Sequence, residues 1–185
     1  MLLLWLASLS LQAQTPAPTK VALGGAEVSY LYAAGKAEGA LVVLPNQIEK
    51  PDTEWKSWSE IAAGRGWHLV MPVTAAGGDG AAKMLDAIVT EVRTKHKLSN
   101  APFYLVGAGP LSPMVMYVVC RAPHIFSAAL AISGSAKPAV DTDRLFAANT
   151  SLVPVGWALT AEERAEQGPV YQKMQTRGFR LEILE

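Results

Sequence analysis

The chain has 185 residues, half of them hydrophobic, which suits one domain with a buried core and leaves too little for two domains of ordinary size. Its 16 Lys and Arg balance its 16 Asp and Glu without a run of like charges, so the sequence lacks the electrostatic signature of nucleic-acid or anionic-membrane binding. A single cysteine, Cys120, excludes an internal disulfide, and three scattered histidines lack the spacing of a zinc site. We therefore predict no metal and no cofactor.

The N-terminal segment is apolar but too short to cross a hydrocarbon core of ~30 Å. Residues 1–11 are almost entirely hydrophobic, and the polar residues Gln12 and Gln14 follow at once. The pattern predicts a signal peptide over residues 1–13, a leader over 14–20 and one domain over 21–185. We therefore expect a secreted or periplasmic protein whose mature form has no transmembrane segment. The alternative is an apolar segment that docks on the domain.

From Val21 onward, short apolar runs alternate with longer amphipathic segments. This alternation is typical of a mostly parallel sheet with helices on both faces, so the predicted fold class is a three-layer α/β/α sandwich. Strands are predicted over residues 28–33, 41–44, 67–73, 103–106, 128–132, 153–158 and 180–184.

Four helices are predicted between these strands. The first begins after a cap at Asp52, and its inward-facing residues are predicted to be Trp55, Trp58, Ile61 and Ala62. The second begins after a cap at Asp79 and has the clearest helical periodicity, carried by Met84, Leu85, Ile88, Val89 and Val92. The third, residues 113–120, is apolar on all sides, as a central buried helix would be. The fourth covers residues 161–176, after a cap at Thr160.

Four blocks of sequence follow one another in a specific order. They are Leu41-Val42-Val43-Leu44-Pro45-Asn46, residues 58–72, Phe103-Tyr104-Leu105-Val106-Gly107 and residues 121–129. In this order they resemble the α/β-hydrolase superfamily, in particular its secreted esterases and polyester depolymerases, over roughly residues 30–185. The resemblance implies a small ester or a polymer as the ligand.

The turn after the strand at 103–106 departs from that superfamily. Active members carry G-x-S-x-G there, and this chain has Gly107-Ala108-Gly109-Pro110-Leu111. Gly109 stands at the nucleophile position without a side chain. Pro110 has no N–H for the oxyanion hole, and loss of such a donor costs ~10²- to 10³-fold in rate. The resemblance therefore implies a vacant nucleophile position and an inactive site.

Ser112 is the alternative nucleophile, although a helix cap followed by Pro113 at the first helical position also explains it. The acid of a triad is expected after the strand at 153–158, where Glu162 and Glu163 lie, and both equally fit the first turn of a helix. The triad histidine is expected beyond the last strand, and no histidine follows His124. His68 lies in a strand and His96 at a helix end, where structural roles are expected.

Asn46 and Gln47 replace the residues that supply the other oxyanion donor in the superfamily. Their amide groups are candidates for ligand binding, and a solvated turn is the alternative.

Three functions stay open on the sequence alone. The first is an exported, inactive α/β-hydrolase-like protein that keeps a ligand crevice. The second is a working ester hydrolase with a rearranged site that pairs Ser112 with His124. The third is a glycan- or protein-binding module that uses Trp55, Trp58 and Trp67, of which Trp55 is expected to be the exposed one. A truncated chain is a further possibility, which leaves Gly109 and Pro110 unexplained. The oligomeric state is open.

Overall fold

The computed structural model describes residues 15–48, 50–137, 140 and 152–184. The predicted signal peptide and its cleavage after Ala13 lie outside these residues. In the described part of the chain, no helix combines the length and the apolar character needed to cross a membrane.

Within these residues, eight strands form one sheet in the order β1-β2-β4-β3-β5-β6-β7-β8. The strands are β1 (Thr19–Leu23), β2 (Ala26–Ala33), β3 (Ala40–Leu44), β4 (His68–Pro72), β5 (Phe103–Ala108), β6 (Ala128–Ile132), β7 (Val155–Ala158) and β8 (Leu181–Leu184). β1 pairs antiparallel with β2, and β2 pairs antiparallel with β4. All pairs from β4 to β8 are parallel, which confirms the predicted mostly parallel sheet.

β1 is the strand that the sequence pattern missed. It begins at Thr19, inside the predicted leader, and its residues alternate between half-buried and exposed positions. This edge strand has only five residues and one neighbouring strand, so its alternation is too short to stand out from the leader before it. The domain boundary at residue 21 stays a prediction.

The helices are α1 (Pro51–Arg65), α2 (Asp79–Lys95), α3 (Ser112–Arg121) and α4 (Ala161–Thr176), with a short 3₁₀ turn over Gly109–Leu111 before α3. Their places in the chain confirm the predicted helices. Two predicted caps are wrong, because Lys50 and Gly78 precede α1 and α2, whereas Asp52 and Asp79 lie within the first turn. Carboxylates in a first turn still interact favourably with the helix dipole.

The cap of α4 confirms the prediction. Thr160 Oγ1 accepts a hydrogen bond from the Glu163 amide at 3.2 Å, and a Glu163 carboxylate oxygen accepts one from the Thr160 amide at 3.0 Å. This reciprocal arrangement satisfies two amide groups that the start of a helix leaves without partners.

Two hydrophobic cores lie on opposite faces of the sheet. The larger lies under α2, α3 and α4, and it contains all five periodic residues of α2 together with Phe103, Leu105 and Trp157. The smaller lies under α1, where Trp55 and Ala62 pack on β3 and β4. These two helical layers and the sheet between them confirm the three-layer α/β/α sandwich.

The exposure of residues on α1 differs from the prediction. Trp55 is buried, with 2% of its surface exposed, whereas Trp58 and Trp67 are half-buried and Ile61 is 53% exposed. Trp55 and Ala62 are two helical turns apart and therefore face the same side, while Ile61 is rotated by about 120° from Trp55. The inward orientation predicted for Trp55 and Ala62 is confirmed, and that predicted for Ile61 is wrong. The expectation that Trp55 is the exposed tryptophan is also wrong.

Candidate functional site

The carboxyl ends of the parallel strands meet at one edge of the sheet, here called the carboxyl rim. It is formed by the residues that follow β3, β4, β5, β6 and β7. In open α/β sheets this edge is where ligands bind.

At the end of β5, the chain turns sharply into α3. Ala108 is still extended, and Gly109 has a φ of +54°, a left-handed conformation that glycine adopts without strain. A Cβ at position 109 would meet one heavy atom within 4 Å, Asn46 Oδ1 at 4.0 Å. The turn therefore opens onto space at the rim, and it offers no side chain at 109 and no amide hydrogen at Pro110.

The loop after β3 uses its amide groups internally. The amides of Asn46 and Gln47 donate to the two carboxylate oxygens of Glu54, at 3.1 and 3.0 Å. Two consecutive N–H groups that converge on one carboxylate resemble an anion-binding turn. The backbone donors considered for a ligand are thus engaged with α1. This role of Glu54 was not predicted. The available signal was an acidic residue in the first turn of the helix that follows the loop.

Ser112 is fully buried, and its Oγ donates a hydrogen bond to the carbonyl oxygen of Ile132 at 3.1 Å. Its predicted role as N-cap of α3 is wrong, because Leu111 precedes the helix and Ser112 is its first residue. The hydroxyl instead joins the start of α3 to the end of β6.

We expect Ser112→Ala to lower the free energy of unfolding by about 1–2 kcal/mol, because a buried carbonyl loses its donor. Urea denaturation of the variant measures this. Ser127→Ala is the matched control, since Ser127 is exposed, and its effect should stay within about 0.5 kcal/mol. Equal effects of the two substitutions would contradict the structural role of the Ser112 hydroxyl.

His124 lies at the other edge of the sheet. It precedes β6, and its Nε2 lies 3.4 Å from Asp86 Oδ1 in a pair whose side chains are 69% and 50% exposed. Ser112 contacts the last residue of β6, and a five-residue strand spans about 13 Å. The structure therefore separates Ser112 and His124 and does not bring them together.

Glu163 lies close to the rim and is held by its neighbours. Besides the Thr160 amide, its carboxylate accepts a hydrogen bond from the Gly134 amide at 3.3 Å. Hydrogen bonds from the Thr160 amide and then from the Gly134 amide lower the pKa of Glu163. The carboxylate ties the turn after β6 to α4, while Glu162 is exposed in the same helical turn.

The turn after β6 packs directly on the turn after β5. Ser133 and Gly134 have φ values of +56° and +77°, and a Cβ at Gly134 would overlap the carbonyl group of Gly109. Trp157 Nε1 donates to the Ser133 carbonyl at 3.2 Å. The packing of these two turns was not predicted from the sequence, where the run Ser133-Gly134-Ser135 was the available signal.

An apolar pocket of about 40 Å³ lies at the rim, beside the turn from β5 into α3. Its lining includes Leu44, Pro45, Ile48, Met84, Leu111 and Met114. An open depression of about 460 Å³ adjoins it, lined by Asn46, Gln47, Ile48 and Lys50. Because Ile48 lines both, the apolar pocket and the open, partly polar depression are adjacent.

In the described ranges, no group of three or more His, Cys, Asp or Glu side chains could hold a metal ion. Burial raises the pKa of the Cys120 thiol to about 12, so the thiolate that would act as a nucleophile or ligand is disfavoured.

No family model matches the sequence, and no curated protein matches it. Solved structures do match. MPT51 from Mycobacterium tuberculosis has a TM-score of 0.64 and 16% identity, covering 91% of this chain and 89% of that one. The esterase Pf2001 from Pyrococcus furiosus has a TM-score of 0.65 and 10% identity, with coverage of 91% and 79%. Est1E from Butyrivibrio proteoclasticus has a TM-score of 0.59 and 10% identity, with coverage of 91% and 88%.

At these identities the similarity establishes the fold and leaves the chemistry to be argued from the site. The order of strands, the helices on both faces and the turn from β5 into α3 agree with it. The chain therefore has the α/β-hydrolase fold.

Proposed function

We propose that this protein is an exported α/β-hydrolase-fold protein that does not catalyse ester hydrolysis and that binds a small ester or an ester-containing polymer at its carboxyl rim. One observation carries the proposal. The strand-to-helix turn after β5 has Gly109 and Pro110, so it lacks both an attacking hydroxyl and the amide that would stabilise an oxyanion.

The geometry of the β3 loop supports the same conclusion. In an active site, amides of this loop must point at the developing oxyanion. Here the amides of Asn46 and Gln47 donate to Glu54. The Glu54 carboxylate also places a negative charge where a negatively charged intermediate would need hydrogen-bond donors. A second source of oxyanion stabilisation is therefore engaged elsewhere.

The positions of the histidines support it further. The chain has three histidines, and His68, His96 and His124 all lie at the amino ends of strands, before or at the start of β4, β5 and β6. The turn after β5 lies at the opposite edge. A general base must come within hydrogen-bond reach of its nucleophile, and none of these imidazoles is placed to do so.

The apolar pocket and the depression beside it indicate the ligand class. The pocket, lined by Leu111 and Met114, suits a short apolar group. In the depression, the Asn46 carboxamide offers both a donor and an acceptor for a carbonyl-containing ligand. One of the structural neighbours described above, Pf2001, is named as an esterase, which favours an ester among such ligands.

Activity is tested with a serine-directed fluorophosphonate and short p-nitrophenyl esters. We expect no labelling and no turnover above buffer. Gly109→Ser returns a hydroxyl to the turn and is expected to stay inactive, because no imidazole lies at the rim to activate it. Stoichiometric labelling of the unmodified protein, mapped to any serine by peptide mass spectrometry, would contradict the proposal and favour the hydrolase with a rearranged site.

Binding is tested with ethyl butyrate, followed through the amide NMR signals of Ile48, Gly109 and Leu111. Saturable shifts are expected, and Met114→Trp, which fills the pocket, should abolish them. The matched control is Trp58→Phe, on the other face of the sheet. Shifts that are absent, or that persist in Met114→Trp, would contradict a ligand in this pocket.

Export is part of the same proposal and rests on the apolar residues 1–13. Mass spectrometry of protein recovered from the native host is expected to show Gln14 as the first residue. Recovery of the protein with Met1 to Ala13 attached would favour the alternative, an apolar segment that is retained.

A second candidate is a glycan- or protein-binding module. The rings of Trp67 and Tyr104 stack with their centroids 4.9 Å apart, and both residues are half-buried. Stacked aromatic rings that are partly exposed can bind a sugar face. A change in tryptophan fluorescence with a panel of glycans, lost in Tyr104→Ala, would support this function over ester binding.

A further inference from the structure

The loop between β2 and β3, residues 34–39, is fastened to the junction of α1 and β4. The carbonyl oxygen of Gly66 accepts hydrogen bonds from the amides of Lys36 and Ala37, each at 2.7 Å. The His68 amide donates to the Gly39 carbonyl at 2.9 Å. Gly35 lies so close to the backbone of residues 66–68 that a Cβ would overlap it. This loop is therefore docked along its whole length at the amino-end edge of the sheet.

One titratable side chain, His68, belongs to this contact. It is 8% exposed, and its Nδ1 accepts hydrogen bonds from the Tyr32 hydroxyl at 2.6 Å and from the Gly35 amide at 3.1 Å. A backbone amide can only donate, so Nδ1 must carry a lone pair. The docked loop therefore requires a neutral ring with its proton on Nε2. Protonation of Nδ1 would place two N–H groups against each other and break the bond to Gly35.

A second imidazole completes the cluster. The ring of His96, the residue after α2, stacks on the Tyr32 ring with centroids 3.7 Å apart and an angle of 15°. The His68 ring lies on Tyr32 at 5.9 Å. Tyr32 thus contacts both histidines, and the cluster joins the end of β2, the start of β4 and the end of α2.

The charged and titratable groups around the cluster come from each packed element. β2 contributes Tyr30 and Tyr32, α2 contributes Glu91 and Lys95, and His96 follows α2 directly. In the loop itself, Lys36 and Glu38 are exposed. Burial lowers the pKa of His68, with a smaller opposing effect from the Ala37 backbone. Burial also lowers the pKa of His96, followed by Lys95 and His68, and Glu91 opposes them.

We propose that His68, Tyr32 and His96 form an acid-sensitive latch that holds residues 34–39 against the start of β4 and releases them when the solution is acidified. In the open state the imidazoles are hydrated and take up protons near pH ~6.5. In the closed state they take up protons only at lower pH. The closed state is therefore fully favoured above the ordinary histidine pKa and loses stability as the pH falls below it.

Hydrogen exchange of the full chain, followed by mass spectrometry at pH 7.5 and pH 5.0 and corrected for intrinsic rates, tests the latch. Protection of amides in residues 34–39 is expected to fall by at least about threefold at the lower pH relative to α3. His68→Asn keeps an acceptor oxygen near the position of Nδ1 and cannot be protonated, so the acid response should become clearly smaller, with only the contribution of His96 left. His124→Asn is the matched control, since His124 is exposed, and should retain the full acid response.

Two results would overturn the latch. One is unchanged protection in the unmodified protein, and the other is an equal acid response in His68→Asn. If His68→Asn does not fold, an NMR titration of the unmodified protein decides. The latch requires the Nε2–H tautomer of His68 and a pKa below the ordinary value, and a His68 that titrates at or above that value contradicts it.

Discussion

Gly134→Ala is expected to lower the free energy of unfolding by about 2–5 kcal/mol, because it combines a left-handed backbone with an overpacked contact. Gly134 has a φ of +77°, and a Cβ there would overlap the carbonyl oxygen of Gly109 and lie 2.8 Å from its carbonyl carbon. The neighbour is backbone, which cannot rotate away as a side chain could. Urea denaturation at neutral pH measures the loss.

Gly64→Ala is the matched control for this prediction. Gly64 lies inside α1 with ordinary backbone angles and nothing within 4 Å of an added Cβ. Alanine there should stabilise the protein by up to about 1 kcal/mol, because alanine loses less conformational freedom in a helix. If Gly134→Ala is as well tolerated as Gly64→Ala, the two turns at the rim do not pack as described.

The second large effect is expected from Trp157→Ala, which should lower the free energy of unfolding by about 3–5 kcal/mol. Trp157 is fully buried in the larger core, and its Nε1 donates to the Ser133 carbonyl at 3.2 Å. The substitution leaves a cavity and also removes the donor of the turn after β6. The midpoint of urea denaturation and the amide signals of Ser133 and Gly134 report the two consequences separately.

Trp157→Phe separates packing from hydrogen bonding. Phenylalanine retains much of the ring volume and removes the N–H, so its cost should be clearly smaller than that of alanine. Trp58→Ala, at a half-buried position on α1, is expected to cost less than Trp157→Ala. A Trp157→Ala protein as stable as Trp58→Ala would contradict a central position for Trp157.

Both predictions concern the same part of the molecule. Gly109 and Gly134 approach each other, Glu163 and Trp157 bind the backbone of the second turn, and Ser112 binds the end of β6. Ser112 and Glu163, the candidate nucleophile and the candidate acid of the sequence, here make contacts that stabilise the rim.

Much of the fold was predictable from local pattern. The apolar run of β3 and the helical periodicity of α2 reflect burial on two faces and on one face, and both elements formed where expected. β1 and the phase of α1 were not predictable in this way. A five-residue edge strand is too short for its alternation to stand out, and four hydrophobic residues on one helix do not show which side faces the sheet.

The sequence by itself determined what the turn after β5 lacks, because the missing side chain of Gly109 and the missing N–H of Pro110 are covalent properties that hold in any conformation. The tertiary structure alone decided which groups meet. It placed Glu54 on the amides of Asn46 and Gln47, put His124 at the far end of β6 from Ser112, and closed His68 onto Gly35. Contacts between residues distant in sequence depend on strand order and register, which no local pattern encodes.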